Sequence, residues 1–165
     1  MKNSYSPHDF VDLLKNMGYP AEFDCDYHGA GVVATSAEQS SWKWHILFET
    51  TDEFEVVDKM LLIGRRLIWN NIYHWKRSDY PYEKICARFS EENELGIVKF
   101  HGGYSSDDWS VQLQYSIDFT GGVNREWLRH QVKLWERALL SFGRIVDLYE
   151  EPDWEELAAE VDRGA

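Results

Sequence analysis

The residues best suited to chemistry lie closest together between His101 and Asp108, in the polar run HGGYSSDD. Their imidazole, hydroxyl groups and carboxylates could ligate a divalent metal ion or position a general base. A hydrolase or metal enzyme that uses His101, Asp107 and Asp108 is therefore one hypothesis. However, the run lacks the ligand pattern of a calcium loop and the paired histidines of a zinc site, whereas tight turns select Gly, Ser and Asp. We favour a hairpin loop here.

The other reactive residues are scattered along the chain. No histidine has a second His or Cys at metal-ligand spacing, and no G-x-S-x-G motif pairs a histidine with a serine nucleophile. Cys25 and Cys86 are far apart in sequence and are predicted to be buried thiols. Asp24 and Asp26 could bind a cation from one face of a strand, but a solvated acidic face is favoured. We therefore predict no catalytic residue, no metal and no cofactor.

The composition narrows the classes of partner. The 165 residues include 29 Asp and Glu against 17 Lys and Arg, which gives a formal net charge of -12. Nucleic acids and anionic lipid surfaces select clustered Lys and Arg, so we expect neither a nucleic-acid nor a membrane partner. No stretch approaches the length of a membrane span. We predict one cytoplasmic domain, residues 1–165, with a short acidic tail from about residue 150.

The stretch that would organise such a domain runs from Trp109 to Tyr149. Apolar and polar side chains alternate from Trp109 to Phe119, which indicates a strand with one buried and one wet face. After Gly121 and Gly122 the apolar period changes to that of an amphipathic helix. The helical stripe comprises Trp127, Gln131, Leu134, Trp135, Ala138, Leu139, Phe142, Ile145 and Tyr149. We expect this helix to fold back onto the strand.

The rest of the chain predicts more sheet and two further helices. Ser6 followed by Pro7 is typical of a helix start, and Gly18 would end that helix. A second helix is predicted from Asp52 to Trp75. Alternation predicts the remaining strands at 21–27, 32–36, 42–48, 85–89 and 97–100. The fold class is α+β, with an antiparallel sheet of five to six strands packed against two long helices plus an N-terminal helix, in the order α-βββ-α-βββ-α.

The tryptophans are the candidate contact residues. Most of them lie on the inward faces of predicted elements, where they either build the core or line an aromatic pocket. Trp75 and Trp154 lie near element ends, where part of a ring can stay exposed to a protein partner. The candidate contacts with a partner or a pocket are Trp75, Trp127, Trp135 and Trp154.

Two short segments resemble the YbjN family, whose members are named as bacterial sensory transduction regulators. One is the Asn- and Trp-rich run from Trp69 to Trp75, and the other is the run IDFTGGV from Ile117 to Val123. The chain departs from the family pattern at Lys76, where the family favours Asn, and by extra residues before Gly121. The resemblance implies a fold like that of type III secretion chaperones, which are acidic, usually homodimeric proteins that bind other proteins.

Three functions follow as hypotheses. The leading one is a non-enzymatic protein-binding domain, chaperone-like or regulatory, that forms a homodimer and holds a segment of an unidentified partner. The alternative is a small-ligand-binding module in which the indole rings line a pocket. The third is the enzyme that would use the loop from His101 to Asp108.

Overall fold

Six strands and three helices make up the described part of the chain. The computed structural model describes residues 4–24, 31–35, 43–51, 56–67, 80–102 and 109–150. No helix among these residues is long and apolar enough to cross a bilayer. In chain order the elements are α1 (Pro7–Asn16), β1 (Ala21–Asp24), β2 (Gly31–Thr35), β3 (Lys43–Thr51), β4 (Val56–Leu67), α2 (Tyr82–Glu92), β5 (Ile97–Gly102), β6 (Trp109–Asp118) and α3 (Arg125–Glu150).

The strands form one antiparallel sheet in the order β1-β2-β3-β4-β6-β5. The first four strands follow one another as a meander. The chain then passes through α2 to β5 at the far edge and returns to β6, which lies between β5 and β4. The α+β class and the antiparallel sheet predicted from the sequence are therefore present, and β6 is a central strand.

Helix α1 begins where the sequence predicts, after Ser6, because hydrogen bonds between neighbouring residues cap its first turn. The Ser6 hydroxyl accepts a hydrogen bond from the Asp9 amide at 3.1 Å, and the Asp9 carboxylate accepts one from the Ser6 amide at 2.9 Å. These two bonds form a capping box, and Pro7 occupies the first helical position, where no amide donor is needed. The chain turns at Gly18, whose φ of 88° favours glycine.

The second predicted helix is wrong, because residues 56–67 form strand β4. Thr50 pairs with Val57 and Glu49 with Lys59, so Asp58 is an extra residue in a β-bulge. The bulge brings Val57 onto the same buried face as Met60, three residues away. This spacing, followed by Gly64 four residues later, imitates the i, i+3, i+7 pattern of a helix. The predicted ends of that helix, at 52–55 and 68–75, lie outside the described residues.

The strand predicted at residues 85–89 is also wrong, because these residues lie in helix α2. Ile85 and Phe89 are buried, and a spacing of four fits both a strand of period two and one helical turn. Ala87, which lies between them, is exposed. The order is therefore α-ββββ-α-ββ-α, and α3, with 26 residues, is the only long helix in the described part of the chain, since α1 and α2 have 10 and 11.

Helix α2 covers the edge of the sheet formed by β5. The Tyr82 hydroxyl donates to the Val98 carbonyl at 3.2 Å, and the Cys86 thiol lies 3.9 Å from the same oxygen. A covered carbonyl cannot accept a bond from the strand of another chain, which is one way that proteins protect sheet edges. On its other side α2 packs against α3, where the rings of Phe89 and Phe142 meet edge to face at 6.2 Å.

Helices α1 and α3 share one face of the sheet. Trp44, Ile46 and Phe48 of β3 are all buried on this face, which accounts for their alternation in the sequence. Phe10 of α1 packs edge to face on Phe48 with ring centroids 6.1 Å apart. Helix α3 lies very close to the sheet at Gly64, where a Cβ atom would lie 2.2 Å from Cδ1 of Leu139. The core therefore lies between the sheet and these two helices.

Candidate functional site

The start of α3 is set by Asn124 after a glycine turn. Gly121 and Gly122 both have φ values near +90°, at 86° and 87°, so the chain reverses sharply after β6. The Asn124 side chain then accepts a hydrogen bond from the Trp127 amide at 2.7 Å. Asn is a preferred N-cap residue because its oxygen satisfies an amide that has no partner within the helix. Trp127 is thereby placed in the first turn of α3.

The rotation of α3 is set by its buried side. Trp135 is completely buried and packs against Trp44 with ring centroids 6.0 Å apart. One turn earlier, the Tyr115 hydroxyl of β6 donates to the Gln131 side chain. These contacts hold one face of α3 on the sheet, and the opposite face is left in solvent.

The outward face of α3 carries a row of cations, which we call the basic stripe and define as Arg125, Arg129, Lys133 and Arg137. Residues four apart on a helix are neighbours, and each step turns only about 40° around the axis. Arg125, Lys133 and Arg137 are exposed and Arg129 is half-buried. The stripe is therefore a row of neighbouring cations along the first half of the helix.

The basic stripe has no acidic partner among the described residues. None of its four cations forms an ion pair there, whereas Arg144, farther along the helix, pairs with Glu92 at 3.1 Å. Like charges four residues apart cost a helix about 0.2–0.5 kcal/mol per pair. Arg125 also lies in the first turn, where the helix dipole disfavours a positive charge. The stripe is thus a local cost to folding in a chain of net charge -12.

A groove of about 490 Å³ runs beside the stripe, where the end of α1 approaches α3. The described residues that line it are Met17, Glu126, Arg129, His130 and Lys133. Met17 is the C-cap of α1, and the turn at Gly18 places it there. The groove therefore combines one apolar side chain with two cations, an imidazole and one carboxylate. No tryptophan is among the described residues that line it.

The four candidate tryptophans have different positions. Trp127 remains 40 % exposed, and it lies three residues before His130, on a neighbouring part of the same surface. Trp135 lies in the core, and its Nε1 atom has no hydrogen-bond partner in the described part of the chain. Trp75 and Trp154 lie outside the described residues. Of the four, Trp127 is exposed and lies next to His130 of the groove. It is two residues from both Arg125 and Arg129, so it lies on a different side of α3 from these two cations.

Potential metal ligands are not brought together in the described ranges. No group of three or more His, Cys, Asp or Glu side chains there is arranged to hold a metal ion. Most of the polar loop, residues 103–108, lies outside these ranges, as does Cys25. Cys86 is half-buried, and burial raises the pKa of its thiol, so little thiolate is present at neutral pH.

Sequence reasoning missed the basic stripe, although its signal was present. From Arg125 onward the order R-x-x-x-R-x-x-x-K-x-x-x-R repeats every four residues. A charge run on the polar face of a helix is usually only a solvated surface. What distinguishes this run from such a surface is that its cations form no ion pair with a described carboxylate, and that depends on the folded structure.

Comparisons with known proteins identify the fold. No family model and no curated sequence matches the chain. Its structure is similar to that of YbjN from E. coli, described as "a putative transcription regulator", with a TM-score of 0.61 and 12% identity over 85% of this chain and 88% of that one. It is also similar to an uncharacterized protein from Methanothermobacter thermautotrophicus, with a TM-score of 0.55 and 15% identity over 89% and 100%. The chain therefore has a YbjN-like fold.

Proposed function

We propose that this domain is a non-enzymatic, chaperone-like or regulatory protein that binds a segment of a partner protein on the outward face of α3. One observation carries the proposal: Trp127 is 40 % exposed and lies three residues before His130, which lines a groove together with Arg129 and Lys133. Tryptophan and arginine are the residue types most enriched among those that dominate binding energy at protein interfaces. The description of the E. coli YbjN as a regulator is compatible with such a role.

The proposal includes a cytoplasmic homodimer. A second copy would leave the α3 surface available only if the two copies meet elsewhere. The side of the sheet away from α1 and α3 provides a candidate dimer surface, because Leu47, Leu61 and Ile63 are half-buried there and Ile97 is 64 % exposed. Light scattering at two protein concentrations tests the dimer, and a strict monomer at both would remove this part of the proposal.

The binding surface is tested by comparing Trp127→Ala with Leu148→Ala. Leu148 is 59 % exposed on the same helix, so its substitution removes a similar apolar contact far from the groove. Truncation of an interface tryptophan typically costs about 2 kcal/mol or more, which is roughly a 30-fold loss of affinity. Proteins captured from a cell extract by the unmodified domain should therefore be depleted on Trp127→Ala and retained on Leu148→Ala, as measured by quantitative mass spectrometry.

Two results would contradict the proposal. If both variants capture the same proteins in the same amounts, the outward face of α3 is not the binding surface. If the purified protein contains stoichiometric metal and hydrolyses a substrate that loses turnover when His101, Asp107 or Asp108 is replaced, the domain is an enzyme.

A further inference from the structure

We infer that the partner segment held on α3 is acidic and consists of Asp and Glu residues with interspersed apolar residues. The side chains of this segment would lie in the groove and along the basic stripe. This inference rests on the proposed function and specifies the chemistry of the partner. It starts from the imbalance of charge: the chain has 29 acidic residues, yet no described carboxylate pairs with Arg125, Arg129, Lys133 or Arg137.

The groove matches such a segment in chemistry. Arg129 and Lys133 can each donate to carboxylate oxygens, and the planar guanidinium of Arg can do so with two parallel bonds. Met17 provides an apolar contact in the same groove, and methionine adapts to side chains of different shape. A volume of about 490 Å³ lies within the range of small binding pockets, so it admits a few side chains and not a folded domain.

The stripe extends the contact beyond the groove. Arg125 and Arg137 are twelve residues apart, so the four cations span about 18 Å of helix. An extended peptide covers the same length with about six residues. Trp127, which is exposed three residues before His130 of the groove, can pack against an apolar residue of a peptide that extends past His130. Alternating acidic and apolar side chains therefore fit the surface better than a run of acidic residues alone.

A nucleic acid fits this surface less well. Proteins that grip a phosphate backbone make about 6–10 phosphate contacts, whereas the stripe provides four cations. The groove also contains Glu126, and the chain as a whole carries a net charge of -12, which repels a long polyanion. A short acidic peptide meets the local positive charge without approaching the rest of the acidic surface.

The test uses the full chain and a fluorescein-labelled peptide of twelve residues in which Glu and Leu alternate. Fluorescence anisotropy should show that this peptide binds at least tenfold more tightly than the same peptide with Gln in place of every Glu. Binding should weaken as NaCl is raised from 50 to 500 mM, because surface ion pairs are screened by salt.

Substitutions then locate the site. Arg129→Gln with Lys133→Gln should weaken binding of the Glu peptide at least tenfold. Arg88→Gln with Arg144→Gln removes the same charge from arginines outside the stripe, and it should change the affinity less than twofold. Exchanging the two cations, as Arg129→Lys with Lys133→Arg, should retain binding, which separates loss of charge from loss of folding.

The inference is overturned if the Gln peptide binds within twofold of the Glu peptide, or if both double substitutions to Gln have equal effects. Tighter binding of a single-stranded DNA of 20 nucleotides than of the Glu peptide would overturn it as well. The two proposals fail separately. Suppose that Trp127→Ala loses the captured proteins but the unmodified protein binds the Glu and Gln peptides equally. The proposed function would then stand, and only the acidic partner would be refuted.

Discussion

The packing of α3 on β4 leads to a prediction about Gly64. A Cβ atom at this position would lie 2.2 Å from Cδ1 and 3.6 Å from Cγ of Leu139, a residue only 1 % exposed. The clashing atom is a terminal methyl group in a densely packed core, so Gly64→Ala must either change the rotamer of Leu139 or displace α3. Overpacking of this kind destabilises a protein by about 1–3 kcal/mol. Replacing Gly by Ala also lowers the conformational entropy of the unfolded chain, which stabilises the folded state by about 0.4–1 kcal/mol. The net loss in the free energy of unfolding should therefore be roughly 0–2.6 kcal/mol.

The sign of this change separates the two interpretations of residues 56–67. If they formed the amphipathic helix that their spacing suggests, Gly64→Ala would stabilise the protein by about 0.8–1 kcal/mol, because Ala favours helices. Urea unfolding followed by tryptophan fluorescence measures the change directly. A variant more stable than the unmodified protein would refute the strand and its contact with Leu139.

A double-mutant cycle tests the contact itself. Leu139→Ala alone should cost about 2–5 kcal/mol, since it removes a fully buried side chain. It also removes the atom that Gly64→Ala would meet, so adding Gly64→Ala to it should cost nothing or stabilise the protein slightly. In the control background Leu148→Ala, an exposed position on the same helix, Gly64→Ala should retain its full cost. Equal costs in both backgrounds would show that Gly64 and Leu139 do not touch.

Two further predictions concern the start of α3 and the thiol of Cys86 in α2. Asn124→Ala removes the N-cap of α3 and should lower the free energy of unfolding by about 0.5–2 kcal/mol. Asn124→Gly should lower it by only a few tenths of a kcal/mol. Equal losses for the two variants in urea unfolding would contradict the capping role. Burial raises the pKa of Cys86, so less of its thiol is ionised at pH 8 than in an unstructured peptide. Alkylation of Cys86 by iodoacetamide, measured by mass spectrometry in a Cys25→Ser background, should therefore be slower than alkylation of a peptide thiol. A faster reaction would contradict the raised pKa.

The elements that were predicted correctly are those defined by neighbouring residues. The capping box of Ser6 and Asp9, the alternation of β6 and the helical period of α3 each lie within one continuous segment. Sequence alone contains all the information needed for such patterns, because hydrogen bonds and side-chain directions within an element repeat at short, fixed spacings.

The two incorrect elements failed because their spacing is ambiguous. Val57, Met60 and Gly64 lie on the same face of β4 only because Asp58 forms a bulge. The bulge is visible only in the pairing of β4 with β3, where the register shifts by one residue at Asp58. Ile85 and Phe89 are four residues apart, a spacing that satisfies both periods, and the exposure of Ala87 decides for the helix. In both cases the deciding contact joins residues distant in sequence.

The candidate site shows the same division. Trp127 and Trp135 belong to one helical stripe in the sequence, yet the first is 40 % exposed and the second has no exposed surface. The difference arises because Trp135 lies over Trp44 of the sheet, whereas Trp127 lies at the start of the helix. The apolar pattern could therefore propose both as contacts but could not separate them.

The amino-acid sequence by itself determined the α+β class, the limits of α1 and α3, the strong net negative charge and the four-residue repeat of cations in α3. Only the tertiary structure decided that residues 56–67 form a strand, that Trp135 belongs to the core, and that the basic stripe has no acidic partner among the described residues. The physical reason is distance along the chain. Periodicity and capping act between neighbours, whereas burial, strand register and ion pairing depend on residues that only folding brings together.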